Sequence, residues 1–221
     1  MADAVRAGTA DEGDWLVALR QTAGRGRQGR EWFDGTGNFM GSTVVELHSG
    51  DPPAATLSFV AALAVSQAIG TAIVGAAPVR LKWPNDVLID GGKASGILLE
   101  MIERKVVIGI GVNLACAPDL PDRRTSALAD FAPLIAPEAF VRRLAMPLRE
   151  WLIRWRVEGF AAVLREFVQG TGYSQGTALI VHDSDGSRVS GTFLGLEESD
   201  GALRLLLADG SQRVIRAGDV L

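Results

Sequence analysis

The sequence predicts an α+β fold in which an antiparallel meander and flanking helices are followed by a small all-β module. Three patterns carry that expectation. Four short apolar runs at 79–82, 87–89, 94–102 and 106–114 follow one another, and Asp90-Gly91-Gly92 and Glu103-Arg104 separate the last three as hairpin turns. Farther on, Phe140, Leu144, Leu148, Trp151 and Trp155 fall on one stripe of period 3.6. Beyond Gly170-Thr171-Gly172, the pairs Asp185-Gly186, Asp200-Gly201 and Asp209-Gly210 divide short β-rich runs. A chain of 221 residues, 48% of them hydrophobic, can core one large domain and a small appendage, and a boundary is expected near Tyr173.

In order along the chain, residues 2–8 read as a short helix and 15–19 as a strand. Residues 39–47 are β-rich and are expected to pair with that strand across the intervening loop. Asp51, Pro52 and Pro53 mark a helix start, with a carboxylate to cap free N–H groups and proline where no N–H is needed. This helix should run to about Ile73 and, apolar nearly all round, should lie inside. The meander follows. After a proline-dotted connection comes the striped helix, expected to bend at Pro147, and then a shorter one carrying Phe160, Val163, Leu164 and Phe167. Trp151 and Trp155 are expected in the core, as is the single Cys116, read as a small buried hydrophobe.

Function is expected to begin in residues 21–32, Gln-Thr-Ala-Gly-Arg-Gly-Arg-Gln-Gly-Arg-Glu-Trp. Glycines let a backbone close around a ligand, and guanidinium forks offer paired donors to carboxylate or phosphate oxygens. Gly24, Gly26 and Gly29 also spell G-x-G-x-x-G. A dinucleotide fingerprint, however, needs a helix opening directly after the third glycine. Here Arg30-Glu31-Trp32-Phe33-Asp34-Gly35 continues as loop. The segment therefore reads as an anion grip.

A second cluster lies in the meander. Only three of the 22 basic residues are lysine: Lys82, Lys93 and Lys105. Where arginine is the rule, a lysine suggests a need for a compact point charge. Lys82 opens the rigid turn Lys82-Trp83-Pro84-Asn85-Asp86, Lys93 follows a hairpin, and Lys105 reads as a surface residue in a turn. Asp86 is open to three roles: holding Mg²⁺, orienting a lysine, or capping its own turn. In the run Gly109-Ile110-Gly111-Val112-Asn113, alternation puts Gly109, Gly111 and Asn113 on one face. Bare backbone on one face suggests either a closely packed helix or a flat ring such as a purine, hydrogen-bonded by Asn113.

These groups suit two anionic ligands, and a carboxylate with a nucleoside triphosphate fits them. Cations would offset the repulsion between the two, allowing in-line attack on the α-phosphorus and release of pyrophosphate. Nothing supports a serine or cysteine triad, since His48 and His182 fall in different predicted modules, and zinc-ligand spacing is absent. A net charge of −4 and a pI of about 5.3 argue against the broad positive field of a DNA-binding domain. With one cysteine, no signal-like opening and no long uncharged apolar window, a cytoplasmic protein without a membrane partner is expected.

Four ordered motifs carry a family resemblance: residues 21–32, Lys82-Trp83-Pro84-Asn85-Asp86, Lys93-Ala94-Ser95-Gly96-Ile97-Leu98, and Gly109-Ile110-Gly111-Val112-Asn113. Together they resemble a biotin protein ligase, of the biotin–[acetyl-CoA-carboxylase] ligase kind, over about residues 2–221. The resemblance implies a mixed, largely antiparallel sheet flanked by helices, like the class II aminoacyl-tRNA synthetases, in residues 1–172. It implies a small SH3-like barrel in 173–221. ATP and biotin would be the substrates, with Mg²⁺, and biotinoyl-5′-AMP the intermediate. A lysine of a biotin carboxyl carrier protein or similar acceptor domain would then take the biotin. Lys93, Arg27 and Asp86 would be catalytic, with Arg27 guarding the anhydride and Asp86 serving the metal. Gln21, Gly24, Arg25, Gly26, Arg27, Lys93 and Gly96 would meet biotin. Arg30, Trp32, Lys82, Asn85, Gly109, Gly111 and Asn113 would meet ATP or the adenylate.

One departure is plain. The family carries a Ser-Thr-Asn strand before the first helix that this sequence lacks, and an N-terminally short form is expected. No winged helix precedes the catalytic region, so no DNA partner is expected. Exposed strand edges in the meander would permit a homodimer by sheet extension. A lipoate ligase or octanoyltransferase of related fold, or a weakly catalytic biotin-binding or dimerising module, are the competing readings.

Overall fold

The computed structural model describes residues 1–26, 29–73, 75–183 and 185–221. A short helix, α1 (Ala2–Arg6), leads to strand β1 (Trp15–Ala18) and, past a long connection, to β2 (Phe39–Glu46). The expected pairing holds, with Trp15 opposite Thr43. A 3-10 turn (Ala54–Thr56) then opens α2 (Leu57–Gly70), which ends slightly before Ile73. Asp51 is not its cap. Its carboxylate instead accepts the His48 N–H at 2.9 Å and lies 3.4 Å from Arg156, so it fastens the approach to the helix rather than the helix end. α2 buries ten of its side chains, as its all-round apolar surface requires.

The meander comprises β3 (Val79–Lys82), β4 (Asp86–Ile89), β5 (Gly92–Ile102) and β6 (Lys105–Val112). Asp90 and Gly91 both take positive φ, 48° and 78°, as a tight two-residue hairpin turn demands. Six strands form one sheet in the order β1-β2-β6-β5-β4-β3. The expected mixed character is not found: every strand pair in it is antiparallel. Each consecutive meander strand is joined by a turn too short for a parallel crossover. Parallel pairing is confined, among the described residues, to the isolated bridge between Lys93 and Thr125.

Helices α3 (Pro137–Glu158) and α4 (Phe160–Thr171) pack with α2 against one face of this sheet. α3 is a single continuous helix across Pro147. Trp155 is fully buried, donating to Thr56 Oγ1 at 2.8 Å, whereas Trp151 is only half-buried and donates to Gln67. The opposite face carries a small cluster of Val5, Ala10, Val44 and Val107 under α1. Two sequence expectations fail on position. Cys116 is exposed, because the connection that carries it crosses the surface. Lys105 begins β6 rather than forming a turn, and its ammonium is tied to Asp11 at 2.9 Å and to the Ala10 carbonyl at 3.1 Å.

The C-terminal strands β7 (Ala178–Asp183), β8 (Arg188–Leu196), β9 (Leu203–Leu206), β10 (Gln212–Ile215) and β11 (Gly218–Val220) form a second antiparallel sheet, ordered β10-β9-β8-β7-β11. All three Asp-Gly turns appear with one geometry. Each aspartate accepts the N–H two residues on, and each glycine takes positive φ. One of these turns docks the module on the larger sheet. Trp83 Nε1 donates to the Gly201 carbonyl at 2.9 Å, and a Cβ on Gly201 would stand 2.4 Å from the Phe59 ring. Tyr173 stacks edge-on to Phe193, and the hydrophobic core runs on from one sheet into the other. No helix among the described residues is long and apolar enough to cross a membrane.

Candidate functional site

The open face of the six-stranded sheet floors a cavity of about 860 Å³. Residues 21–26 and 29–32 form its wall, with the pairing of a small hairpin. Arg25 and Glu31 are bridged, Gly26 N–H donates to Arg30 O at 2.7 Å, and Trp32 N–H donates to Gly24 O at 3.0 Å. Asp34 anchors the base of this hairpin. It accepts the Gln21 N–H at 2.9 Å and Arg20 Nε at 2.8 Å, and those two donors, the backbone one first, hold its carboxyl below the usual range. Gln21, Gly24, Arg25, Gly26, Arg30 and Trp32 all line the cavity. Arg27 lies outside the described residues.

A flat ring of the protein itself, the Trp32 indole, lies on the glycine face. A Cβ on Gly111 would lie 2.2 Å from Trp32 Cε2, and one on Gly96 would lie 2.9 Å from Trp32 Cζ3. Only bare backbone lets the indole rest there. Gly109, on the same face, would meet nothing closer than Leu98 O at 3.5 Å and borders open space. The indole Nε1 is buried and, among the described residues, lacks an acceptor.

Asn113 falls just past β6 but keeps the face that alternation assigns it. Its Nδ2 donates to the Lys93 and Ser126 carbonyls, both at 3.3 Å, which clamps the amide. Its Oδ1 is buried with no donor among the described residues, in a wall of the cavity. An acceptor left so costs about 1–3 kcal/mol until a ligand supplies a donor.

Lys93 and Asp86 sit at the centre. Their Nζ and Oδ1 are 2.7 Å apart, with the side chains 22% and 9% exposed. The backbone around Lys93 is held from both sides: it pairs with β4 at Leu88, its N–H donates to Arg124 O, and its carbonyl accepts the Ser126 N–H. Gly92 makes that approach possible, since a Cβ there would stand 2.1 Å from Ser126 Oγ. Asn85 reaches back to the Ile97 carbonyl and also lines the cavity. Lys82 faces Asp86 directly across the β3–β4 pair but sits beyond the cavity lining. Burial pulls its ammonium below the usual lysine range, against the opposing pull of Asp86. Tyr173 is half-buried, and burial first, then the Asp86 charge, pushes its phenol up to about 12.

Some lining residues carry no signal that sequence reading used. Leu120, Asp122 and Arg123 come from the connection between β6 and α3, read there only as proline-dotted. Its Asp122-Arg123-Arg124 run was the available cue. Asp219, from β11, reaches across to pair with Arg30. Nothing local in β11 announces that contact. No group of three or more His, Cys, Asp or Glu side chains among the described residues could cage a metal.

An open antiparallel sheet backed by helices, a glycine-arginine hairpin over its bare face and a central lysine–carboxylate pair together make up the site. The chain belongs to the biotin/lipoate A/B protein ligase family, whose model matches residues 2–114. Residues 180–221 match the biotin protein ligase C-terminal domain, which places the chain among the biotin protein ligases of that family. It is 38% identical to a biotin–[acetyl-CoA-carboxylase] ligase of Paracoccus denitrificans over 93% of this chain and 89% of the relative. A ligase of the same description from Mycobacterium tuberculosis is 39% identical over 66% of this chain, which spans 56% of that relative. The biotin protein ligase of Aquifex aeolicus, solved in complex with biotin and ATP, superposes with a TM-score of 0.80 at 26% identity, covering 96% of this chain and 89% of that one.

Proposed function

We propose that this protein is an ATP-dependent biotin protein ligase. It activates biotin as biotinoyl-5′-AMP with release of pyrophosphate, then passes biotin to a lysine of a carrier domain such as that of acetyl-CoA carboxylase. The observation that carries this reading is the Lys93–Asp86 pair, set beneath the glycine-arginine hairpin in one cavity. Lys93 is the cation placed for a carboxylate and an α-phosphate brought together, and its charge offsets the repulsion that opposes attack. Asp86 keeps the ammonium aimed until those anions take it over.

In this reading Gln21, Gly24, Arg25, Gly26 and Gly96 meet biotin, while Arg30, Trp32, Lys82, Asn85, Gly109, Gly111 and Asn113 serve ATP or the adenylate. Arg27 guards the anhydride. Mg²⁺ that arrives with a triphosphate needs only one or two protein carboxylates, and Asp86 is the one at the centre of the site. Residues 1–172 form the catalytic domain of class II synthetase type and 173–221 an SH3-like barrel. The edge strand β1, with Leu16 exposed on it and Leu19 exposed just beyond it, offers a homodimer contact.

Pyrophosphate–ATP exchange tests the reading. Exchange stimulated by biotin is expected; exchange that answers only to lipoate or octanoate, or biotin binding without exchange, would overturn it.

A further inference from the structure

The turn Gly35-Thr36-Gly37-Asn38, which leads from the hairpin into β2, belongs to none of the four motifs, and none of its residues lines the cavity. Asn38 is nevertheless 1% exposed, and its amide contacts all cross to the chain leaving β6. Its Oδ1 accepts the N–H groups of Ala115 at 3.0 Å and Cys116 at 3.2 Å, and its Nδ2 donates to the Cys116 carbonyl at 2.8 Å. Phe39 pairs with Val112, so Asn38 stands one step past the last pair, beside the point where Asn113 leaves the strand. Two glycines allow so close an approach. A Cβ on Gly35 would lie 2.9 Å from Cys116 Sγ, and Gly37, at a φ of 83°, would carry a Cβ 3.0 Å from that of Ala115.

The segment held in this way is a wall of the cavity, lined by Pro118, Leu120, Asp122, Arg123 and Thr125. Its far end is tied by the site itself: Ser126 N–H donates to Lys93 O, Lys93 N–H to Arg124 O, and Asn113 Nδ2 to Ser126 O. Asn38 ties the near end. The same turn also reaches the opposite wall, because Asp34, four residues before Asn38, accepts the Gln21 N–H at the base of the hairpin. A wall tied at one end only has more conformations to lose when a ligand orders it. We propose that Asn38 is a positioning residue for the nucleotide, fixing the 115–125 wall beside Asn113 before ATP arrives. This rests on the reading of Asn113 as an ATP contact. Asn38 touches no ligand. It sets the fraction of chains whose wall is in place, and apparent affinity falls with that fraction.

The test is calorimetric titration of the full chain with AMP and with biotin, separately, for wild type, Asn38→Ala, Asn38→Asp and Thr56→Val, alongside pyrophosphate–ATP exchange. For Asn38→Ala, AMP affinity is expected to fall about tenfold, as for a wall in place in about one chain in ten. The KM for ATP in exchange should rise by a similar factor with kcat held within about twofold, and biotin affinity should likewise stay within about twofold. Asn38→Asp, which keeps an acceptor for Ala115 and Cys116 N–H, should recover part of the AMP affinity. Thr56→Val removes an equally buried acceptor, that of the Trp155 indole N–H, from the helix-backed side. It should lower stability and leave AMP affinity as it was. Equal losses for AMP and biotin, a loss in Thr56→Val as large as in Asn38→Ala, or AMP binding unchanged in Asn38→Ala or absent from wild type would overturn the proposal. Hydrogen exchange reads the clamp without any substitution: the Ala115 and Cys116 amides should be protected in the free chain and more so with AMP, and free exchange or no gain from AMP would refute it. A wild-type chain that binds AMP but shows no biotin-stimulated exchange would instead sink the ligase reading, whatever Asn38→Ala does.

Discussion

Gly109 and Gly111 share a face of β6, yet the structure assigns them opposite sensitivities. Replacing Gly111 by alanine puts a Cβ at 2.2, 2.4 and 2.5 Å from three indole atoms of Trp32. Carbon atoms in contact sit at about 3.5–4.0 Å, so the ring must retreat by more than about 1 Å and cannot keep its seat. The indole is half-buried, and losing that packing weakens the hairpin by about 1–2 kcal/mol. Amide hydrogen exchange reads this directly at Trp32 N–H and Gly26 N–H, whose acceptors are Gly24 O and Arg30 O. Their protection is expected to drop about 5- to 30-fold in Gly111→Ala. Gly109→Ala, meeting only Leu98 O at 3.5 Å, should leave both amides as protected as before. If the two variants behave alike at these amides, Trp32 does not rest on Gly111 and the account of the glycine face is wrong. Biotin-dependent exchange should fall about 100-fold in Gly111→Ala if the hairpin positions the substrates, since a misplacement near 1 Å can have that effect.

Other expectations follow from the same geometry. Lys93→Ala should abolish adenylate formation and also cost about 1–3 kcal/mol in urea unfolding, because Asp86 is left largely buried and uncompensated. Adding Asp86→Asn should restore most of that stability without restoring exchange; full destabilisation in the double variant would refute the pairing. Tyr173 makes stability fall with rising pH: its phenol ionises near 10.0 when exposed but near 12 in the fold, so the unfolded chain loses its proton first. Unfolding midpoints should decline across that interval, and Tyr173→Phe should flatten the decline. Cys116 should react with a thiol reagent in the native protein at close to the rate in denaturant, and strong native protection would contradict its exposure.

Much of the site was legible because its chemistry is written locally. The glycine-arginine interleaving of residues 21–32, the scarcity of lysine that singles out Lys93, and the period-2 placement of Gly109, Gly111 and Asn113 each follow from residue type and spacing; the same scarcity also pointed to Lys82, which lies beyond the cavity lining. The strands, the α3 stripe and the Asp-Gly turns were legible for the same reason. Cys116 and Asp51 were misread because burial and capping depend on where a connection runs, which composition does not encode. The mixed sheet became a fully antiparallel one because every link in the meander proved to be a tight turn.

The sequence by itself determined which residues can grip anions and which strand face stays bare. Tertiary structure alone decided that Trp32 fills that face, that Asp86 is bound to Lys93, and that Arg123 and Asp219 join the cavity from a surface loop and from the last strand. The physical reason is range. Turn geometry and strand alternation act over a few residues, whereas ring packing and ion pairs join groups that only the closed chain brings within a few ångströms.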